Sequence, residues 1–519
     1  MKEVDILIVG TGPTGATLAG LLGQRGLRVA VFDRLPDLYP LPRAAGMDHE
    51  VMRIAQELGI ADRMAPHIAP YRPSEYRGMD GQLIKRLDAA PPPHRLGWAP
   101  NYVFEQPAFE RMLRGRLAEL PTVSTTTSAD VVAVGQDTDH AWADVILPGD
   151  SRPTRHVARY LIACDGGSSP IRKQLGITLE DLGFDEPWLV VDAIVSDPKL
   201  AELPQTQVQY CEAERPCTYV VGVGRHRRWE IMLLPGDSLA ADYPPEQLWP
   251  LLERWIMPGD GEIWRAAAYR FHGLVANDWR RGRILLAGDA AHMTPPFMAQ
   301  GMVQGLRDAL NLAWKLERIL RGRSSPGLLD TYQQERRPHV VTTTRTAMEL
   351  GRVICERDRA RARERDARLL TEQGGRVTTQ FRQNMIPGLH AGLIARETPG
   401  AGCILPQPMI DAGDKLVRLD DLTGRTVRVV VHGDLPAADQ TLLLDALQPL
   451  GGVLVLLGAG GDSSADVIHA VEDVPVLAPW LAQIDRRFAV ARPDHCVFGT
   501  AASTTETVSL LAALRAALA

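Results

Sequence analysis

The feature that most constrains this chain is Gly10-Thr-Gly12-Pro-Thr-Gly15, set directly behind the apolar run Asp5-Ile-Leu-Ile-Val9. A buried strand that runs into this spacing has few folds open to it. The first glycine allows a tight turn, the second lets backbone approach a pyrophosphate, and the third lets a helix pack closely on the sheet. The pattern predicts a helix over 13–24, opened by Pro13 and Thr14, whose N-terminal amides and positive dipole end face the phosphates. Gly26 closes that helix. Val29-Ala-Val-Phe32 then supplies a second strand that delivers Asp33, about twenty residues on, where a carboxylate can hold a ribose hydroxyl.

Two later motifs have the same strand-then-turn form. Asp165-Gly166 follows Tyr160-Leu-Ile-Ala-Cys164, and Gly288-Asp289 follows Ile284-Leu-Leu-Ala287, with Pro295-Pro296 and Gly301 beyond. Each falls where a buried strand should end, which is where open α/β sheets bind ligands. An NAD dehydrogenase normally completes its site within one contiguous half of the chain, whereas Asp289 arrives late. There it can accept from ribityl hydroxyls, which FAD has and NAD lacks, or cap its own turn. Met302, Leu306, Ala309, Leu310, Ala313 and Leu316 follow helical spacing from Gly301, and the start of that helix can stabilise negative charge on a reduced flavin. Together the three motifs indicate FAD.

At 519 residues the chain has room for about three domains. Lys and Arg number 57 against 63 Asp and Glu, a net charge of -6 that offers no basic surface for nucleic acid. The densest charge run, 356–366, mixes both signs and reads as a solvated helix face. Cys164, Cys211, Cys217, Cys355, Cys403 and Cys496 show neither Cys-x-x-Cys nor metal-ligand spacing, as expected of unpaired thiols in a reducing compartment. Met1-Lys-Glu-Val-Asp5 leads straight into the first strand, so no signal peptide is expected, and no apolar run approaches membrane-spanning length. These features predict a cytoplasmic protein with no metal, no nucleic-acid partner and no membrane insertion.

Residues 1–176 carry the first two motifs and form the first part of the FAD-binding domain. Over 177–275 the texture changes to strand-like stretches at 188–195, 206–210, 219–223 and 229–234, which read as a mostly antiparallel sheet inserted into that domain. Residues 276–398 return to the FAD-binding domain and continue into long helices. Pro399-Gly400-Ala-Gly402 and Pro406-Gln-Pro408 mark a linker. Residues 399–519 then form a small α/β unit, with strands at 426–431 and 453–457 and helices at 437–447 and from about 505. Gly458-Ala-Gly460-Gly461 is no second nucleotide site, since the glycine spacing differs and no Lys-Ser/Thr follows.

The motif set resembles the class A flavoprotein monooxygenases, the single-component FAD-dependent aromatic hydroxylases. The resemblance rests on Gly10-x-Gly12-Pro13-x-Gly15, Cys164-Asp165-Gly166-Gly167-Ser168-Ser169 and Gly288-Asp289-Ala290-Ala291-His292. It rests equally on Pro295-Pro296-Phe297-x-x-Gln300-Gly301-Met302 and on Leu306-Arg307-Asp308-Ala309-x-Asn311-Leu312-Ala313-Trp314-Lys315-Leu316. That last block, and Phe184-Asp-Glu-Pro-Trp188-Leu-Val-Val-Asp192, are most similar to the 3-(3-hydroxyphenyl)propionate hydroxylase and phenol hydroxylase branch, with polyketide hydroxylases close by. The resemblance covers essentially the whole chain.

It implies hydroxylation of a phenolic or polycyclic aromatic substrate through a flavin C4a-hydroperoxide, with non-covalent FAD, NADH or NADPH as reductant and O₂ as co-substrate. A Baeyer–Villiger or epoxidising monooxygenase and a non-oxygenating flavoprotein reductase are the rival readings. The fold class implied is α/β: a Rossmann-like FAD-binding domain, an inserted sheet that walls the substrate pocket, and a thioredoxin-like C-terminal domain. The last lacks the Cys-x-x-Cys that redox work needs, so its expected role is structural or at a subunit interface, as in a homodimer.

Carried over residue by residue, Gly10, Gly12 and Gly15 contact the pyrophosphate, with Pro13 and Thr14 in the same turn. Asp33, where the family usually has Glu, meets the adenosine ribose, and Arg34 lies by the adenine. Arg43 reaches the phosphate and ribityl region, Gln106 approaches the cofactor, and Asp165 supports the site. Gly288 and Asp289 serve the pyrophosphate–ribityl segment, with Pro296, Gly301 and Met302 at the isoalloxazine. His292 is expected to be structural in its turn.

The base that deprotonates the substrate is the open position. Phenol hydroxylase has an Asp after Arg-Ala in the loop near the flavin, but here that place in Arg43-Ala44-Ala45-Gly46-Met47-Asp48-His49-Glu50 is Ala45. Asp48 and His49 are nearest in sequence, with His49 better matched to neutral pH. Either is equally suited to capping a helix over 50–58.

Overall fold

Five parallel strands bring the three motifs together. In the computed structural model, which describes residues 4–239, 243–412, 415–458 and 461–519, their order across the sheet is Ile284–Leu286, Thr154–Ala163, β1 (Val4–Val9), β2 (Val29–Phe32) and Val123–Thr126. Ala163 pairs with Val9 on one side and with Leu286 on the other. The turns at Gly10, Cys164 and Ala287 therefore leave the sheet side by side. Ile6, Leu7, Ile8, Leu161, Ile162 and Leu285 are all fully buried. A strand covered on both faces is apolar throughout, which is why these segments show no alternation. Met1-Lys-Glu3 and, in the glycine-rich stretch at 458–461, Ala459 and Gly460 lie outside the described residues.

A second sheet has nine strands, in the order His292–Met293, Gly261–Ala276, Leu179–Val195, His226–Met232, Cys217–Val221, Gln207–Tyr210, Ser74–Arg77, Leu83–Asp88 and Thr379–Phe381. It is mostly antiparallel, as expected, but it extends beyond 177–275 and draws strands from both flanking segments. Leu179–Val195 begins nine residues before the expected 188 because a register shift between Asp181 and Asp185 absorbs Gly183, at φ 84°. The alternation along its central strands is strict. Leu189, Val191, Val208, Tyr219, Trp229 and Ile231 enter one apolar core, and the residues between them face the opposite way.

The chain divides into two compact units: Met1–Ala90, Asn101–Leu306 and Val341–Ile386 form one, and Pro91–Pro100, Arg307–Val340 and Pro387–Ala519 form the other. Both sheets above belong to the first. The expected boundary at 399 falls inside the second, whose own five-stranded sheet runs Val467–Ala470, Val453–Leu457, Arg428–His432, Phe488–Ala491 and Val497–Ala501. Its first three strands are parallel and the last two antiparallel. Helices Ala437–Leu447 and Thr504–Leu518 pack on this sheet, the thioredoxin-like arrangement expected.

The polar residues of the 306–316 block are buried in the second unit. Asp308 accepts from Arg336 Nε at 2.9 Å, while Asn311 Nδ2 and Lys315 Nζ donate to Glu335 Oε2 at 2.6 and 2.8 Å. Arg492 completes the cluster, donating to both Glu335 oxygens at 2.8 and 2.9 Å.

The charge run at 356–366 is not wholly a solvated face. At its end Arg365 and Asp366 are buried, and Arg365 donates to Asp366, to the Cys211 carbonyl and to the Val353 carbonyl. Among the described residues no helix is long and apolar enough to cross a membrane, and no cluster of His, Cys, Asp or Glu has metal-ligand geometry.

Candidate active site

The three strand ends open on one cavity of about 370 Å³, lined on this side by Gly12, Pro13, Thr14, Cys164, Gly166 and Asp289. Its near wall is built by close packing. A Cβ at Gly10, whose φ is 102°, would fall onto the Cys164 carbonyl oxygen, and one at Gly15 would fall onto the Gly10 carbonyl oxygen. Helix α1 (Pro13–Gln24) starts at Gly12 with no side-chain cap, so its first amides face the cavity unshielded. The first turn of the helix Gly301–Leu320 reaches the same space through Gly301 and Met302. Gly305, one turn on, lets that helix sit against Thr14 and Gly288.

The far wall is the polar face of the nine-stranded sheet. Gln207, Gln209, Thr218, Val220, Arg228 and Glu230 line the cavity; they alternate with the core residues of the same three strands. Gln209, Thr218 and Glu230 stand in one row, since Gln209 pairs with Thr218 and Thr218 with Glu230. The Thr218 hydroxyl donates to Gln209 Oε1 at 2.6 Å, and Gln209 Nε2 donates to Ser74 Oγ at 3.2 Å. At a third side Arg382 donates to the Tyr71 hydroxyl at 3.0 Å and to the Met298 carbonyl at 2.9 Å.

Arg228 ties the two walls together. Its Nε and Nη2 bind Asp192 at 2.7 and 3.1 Å, and its Nη1 and Nη2 donate to the carbonyls of Arg43 and Pro42 at 2.8 and 3.0 Å. Arg265 also donates to the Pro42 carbonyl. Asp192 is fully buried, which opposes ionisation, yet Arg228 and His226, the latter at 2.7 Å, hold its carboxyl below the usual range. From the other side Gln106 Oε1 accepts from the backbone amides of Arg43 and Ala44. The loop at 42–44 is thus pinned from both faces, and the Arg43 side chain, half exposed, borders the cavity.

Of the residues expected at the site, Gly12, Pro13, Thr14, Arg43, Gln106, Asp289, Pro296, Gly301 and Met302 line this cavity. Gly10, Gly15 and Gly288 stand behind it as packing positions. Asp33, Arg34 and Asp165 do not border it. The Asp33 carboxylate is engaged with the glycine turn, taking hydrogen bonds from the Thr11 amide and hydroxyl at 2.6 Å each and from the Leu35 amide at 2.8 Å. Asp165 accepts from the Ile171 amide at 3.1 Å, and burial pushes its carboxyl up.

Neither Asp48 nor His49 reaches the cavity. Asp48 is the N-cap of helix α2 (His49–Glu57), accepting from the Glu50 and Val51 amides at 3.1 and 3.3 Å, so the capping alternative is the one its carboxylate takes. His292 is buried against Trp279, with ring centroids 5.2 Å apart. The sheet-side residues were not foreseen. The signal for them was polar residues at 207, 209, 218, 228 and 230 alternating with apolar ones at 208, 210, 217, 219, 229 and 231.

The residues present fit a flavin dinucleotide. A Cβ on Gly12 would meet nothing within 4 Å, leaving room for a group laid on the backbone. The acidic side chain of Asp289 is exposed on the same cavity, which the first turns of two helices also border. Strand ends, glycine turn and late acidic turn define an FAD-binding protein.

Comparison with known proteins agrees. The family described as FAD binding domain matches residues 3–347, and that described as HcaD C-terminal domain matches residues 402–517. A probable NADH-specific resorcinol 4-hydroxylase of Rhodococcus jostii (strain RHA1) is 37% identical, covering 100% of this chain and 96% of its own. A 3-(3-hydroxy-phenyl)propionate/3-hydroxycinnamic acid hydroxylase 2 of Burkholderia vietnamiensis (strain G4 / LMG 22486) is 34% identical over 96% of this chain and 93% of its own. The solved complex of aklavinone-11 hydroxylase with FAD and aklavinone shares the fold, with a TM-score of 0.78, 20% identity and 99% of both chains covered. The chain belongs to the FAD-dependent aromatic hydroxylases, the flavoprotein monooxygenases expected from its motifs.

Proposed function

We propose that this enzyme hydroxylates a single-ring phenol bearing a second substituent meta to the hydroxyl, as resorcinol and 3-(3-hydroxyphenyl)propionate do, with NADH as reductant and O₂ as co-substrate. One observation carries the reading: the glycine turn, Asp289 and Gly301 border the same cavity as the polar row of Gln209, Thr218 and Glu230. A cofactor held at the first set faces a substrate held at the second. The NADH-specific name of the resorcinol 4-hydroxylase relative and the 3-hydroxyphenyl substrate named for the other support the substrate and reductant.

Bound FAD supplies the redox chemistry, accepting reducing equivalents and activating dioxygen. The protein's own part is positional and electrostatic. The first turns of the two helices and Arg43 place positive potential at the cofactor, and Asp289 accepts hydrogen bonds from its hydroxyls. Phe297 and Met293 line the cavity between the two walls and exclude water from the reacting atoms. The assignments of Asp33, Arg34 and Asp165 to the adenosine end and the support of the site belong to this proposal.

The test is NADH consumption by the purified holoenzyme with resorcinol or 3-(3-hydroxyphenyl)propionate, with the product identified by mass. One added oxygen per NADH consumed is expected. NADH oxidation that neither compound stimulates would overturn the substrate assignment.

A further inference from the structure

Two carboxylates line the cavity, Asp289 and Glu230. Asp289 belongs to the cofactor's side. Glu230 stands on the opposite wall, 7% exposed, at the end of the Gln209–Thr218 row. Among the described residues none donates a hydrogen bond to its carboxylate. The Thr218 hydroxyl beside it is committed to Gln209. The nearest cation is Arg228 Nη1 at 3.7 Å, and Arg228 already makes four hydrogen bonds to Asp192, Pro42 and Arg43.

A buried carboxylate without a donor is costly, and such a group on a cavity wall is poised for a donor that arrives with the ligand. Asp192 cannot take that role, since His226 and Arg228 occupy both its oxygens.

We propose that Glu230 is the catalytic base of this enzyme, its carboxylate taking the proton of the substrate's ring hydroxyl. The inference rests on the reading of the substrate as a phenol. The ring O–H bond breaks, the proton moves to a Glu230 oxygen, and the electron pair stays on the ring oxygen. The resulting phenolate enriches the ring carbon that accepts oxygen. No oxidant or reductant enters this step.

The charged groups facing Glu230 are Arg228 on its own strand, Asp192 on Leu179–Val195 and Arg265 on Gly261–Ala276. Arg43, Arg382 and Asp289 line the same cavity from other elements. Burial pushes the Glu230 carboxyl above its ordinary range, with Arg228 opposing, and a higher pKa makes a stronger base near neutral pH.

Glu230→Gln keeps the shape and removes the base. In the holoenzyme it should retain bound FAD, with product formation from resorcinol at pH 7 falling by roughly 10²–10⁴-fold, the range of general-base catalysis. The deficit should shrink as pH rises toward about 10, where a phenol ionises unaided. Glu230→Asp, which restores a carboxylate, should recover part of the loss with the same pH dependence. Should Glu230→Gln fail to hold FAD, the Glu230→Asp profile decides alone, and a deficit that does not vary with pH would overturn the proposal. Full product formation by Glu230→Gln, or a loss independent of pH, would overturn it equally. If the unaltered enzyme responds to neither resorcinol nor 3-(3-hydroxyphenyl)propionate, the substrate reading fails and the proposal falls with it.

Discussion

A methyl group at Gly15 would have no space, because its position is taken by the backbone carbonyl of Gly10 and not by a movable side chain. Overpacking against backbone costs about 1–3 kcal/mol or more, and here it would also displace the turn that borders the cavity. Gly15→Ala should therefore purify with less FAD, read as flavin released by heat per mole of protein. Asp289 acts by charge instead of shape. In its proposed role Asp289 accepts a charge-assisted hydrogen bond from the cofactor, about 1.5–3 kcal/mol, so Asp289→Ala should lower FAD affinity tenfold or more by fluorescence titration, and an unchanged Kd would overturn that role. His49 gives the contrasting case. It opens α2 and is not among the residues that line the cavity, so His49→Ala should keep its yield of hydroxylated product per NADH across the pH range.

Single elements show where the sequence was readable. The helix at 13–24, the strand Val29–Phe32, the helix Ala437–Leu447 and the strand Val453–Leu457 stand where the pattern put them, because glycines and apolar runs punctuate them locally. The polar wall was not readable. Residues 207, 209, 218, 228 and 230 alternate as a solvent-facing antiparallel strand does, and only the pairing of distant segments turns that face into a cavity wall. Asp308, Asn311 and Lys315 were legible as a signature but not as a buried cluster, since Glu335 and Arg492 are remote in sequence. In the strand pair Leu179–Val195 and His226–Met232, Asp192→Ala would take from buried Arg228 the carboxylate it hydrogen-bonds, leaving Glu230 at 3.7 Å as the nearest negative charge. Breaking one partner of such a pair costs about 3–5 kcal/mol. The variant should show a lower urea midpoint and faster FAD release, since Arg228 also holds the carbonyls of Pro42 and Arg43.

At the scale of the whole molecule, two sets of buried carboxylates pull stability in opposite directions with pH. Glu230, Glu110 and Asp165 are pushed up, chiefly by burial. For these the native state binds more protons than the unfolded chain between the ordinary carboxylate pKa, about 4, and the raised native value, so stability falls as pH rises through that window. Asp192 and Glu335 are the reverse. Burial opposes their ionisation, but Arg228 holds down the first, and Arg492 with Lys315 holds down the second. Their contribution is fully present above the ordinary carboxylate pKa and is lost as pH falls through the native one. Acidification of the holoenzyme from pH 8 should first leave stability level or raise it, then lower it steeply below about pH 4. Urea unfolding at fixed pH steps, followed by far-UV circular dichroism, reads both limbs. Glu230→Gln should make the first limb shallower, with Glu110 and Asp165 still contributing to it, and leave the acid limb alone. Glu335→Gln should do the opposite, losing stability at pH 7, by about 3–5 kcal/mol for a broken buried pair, and showing a shallower fall in acid. A Glu335→Gln variant whose acid limb matches that of the unaltered enzyme would show that the buried cluster does not govern acid unfolding.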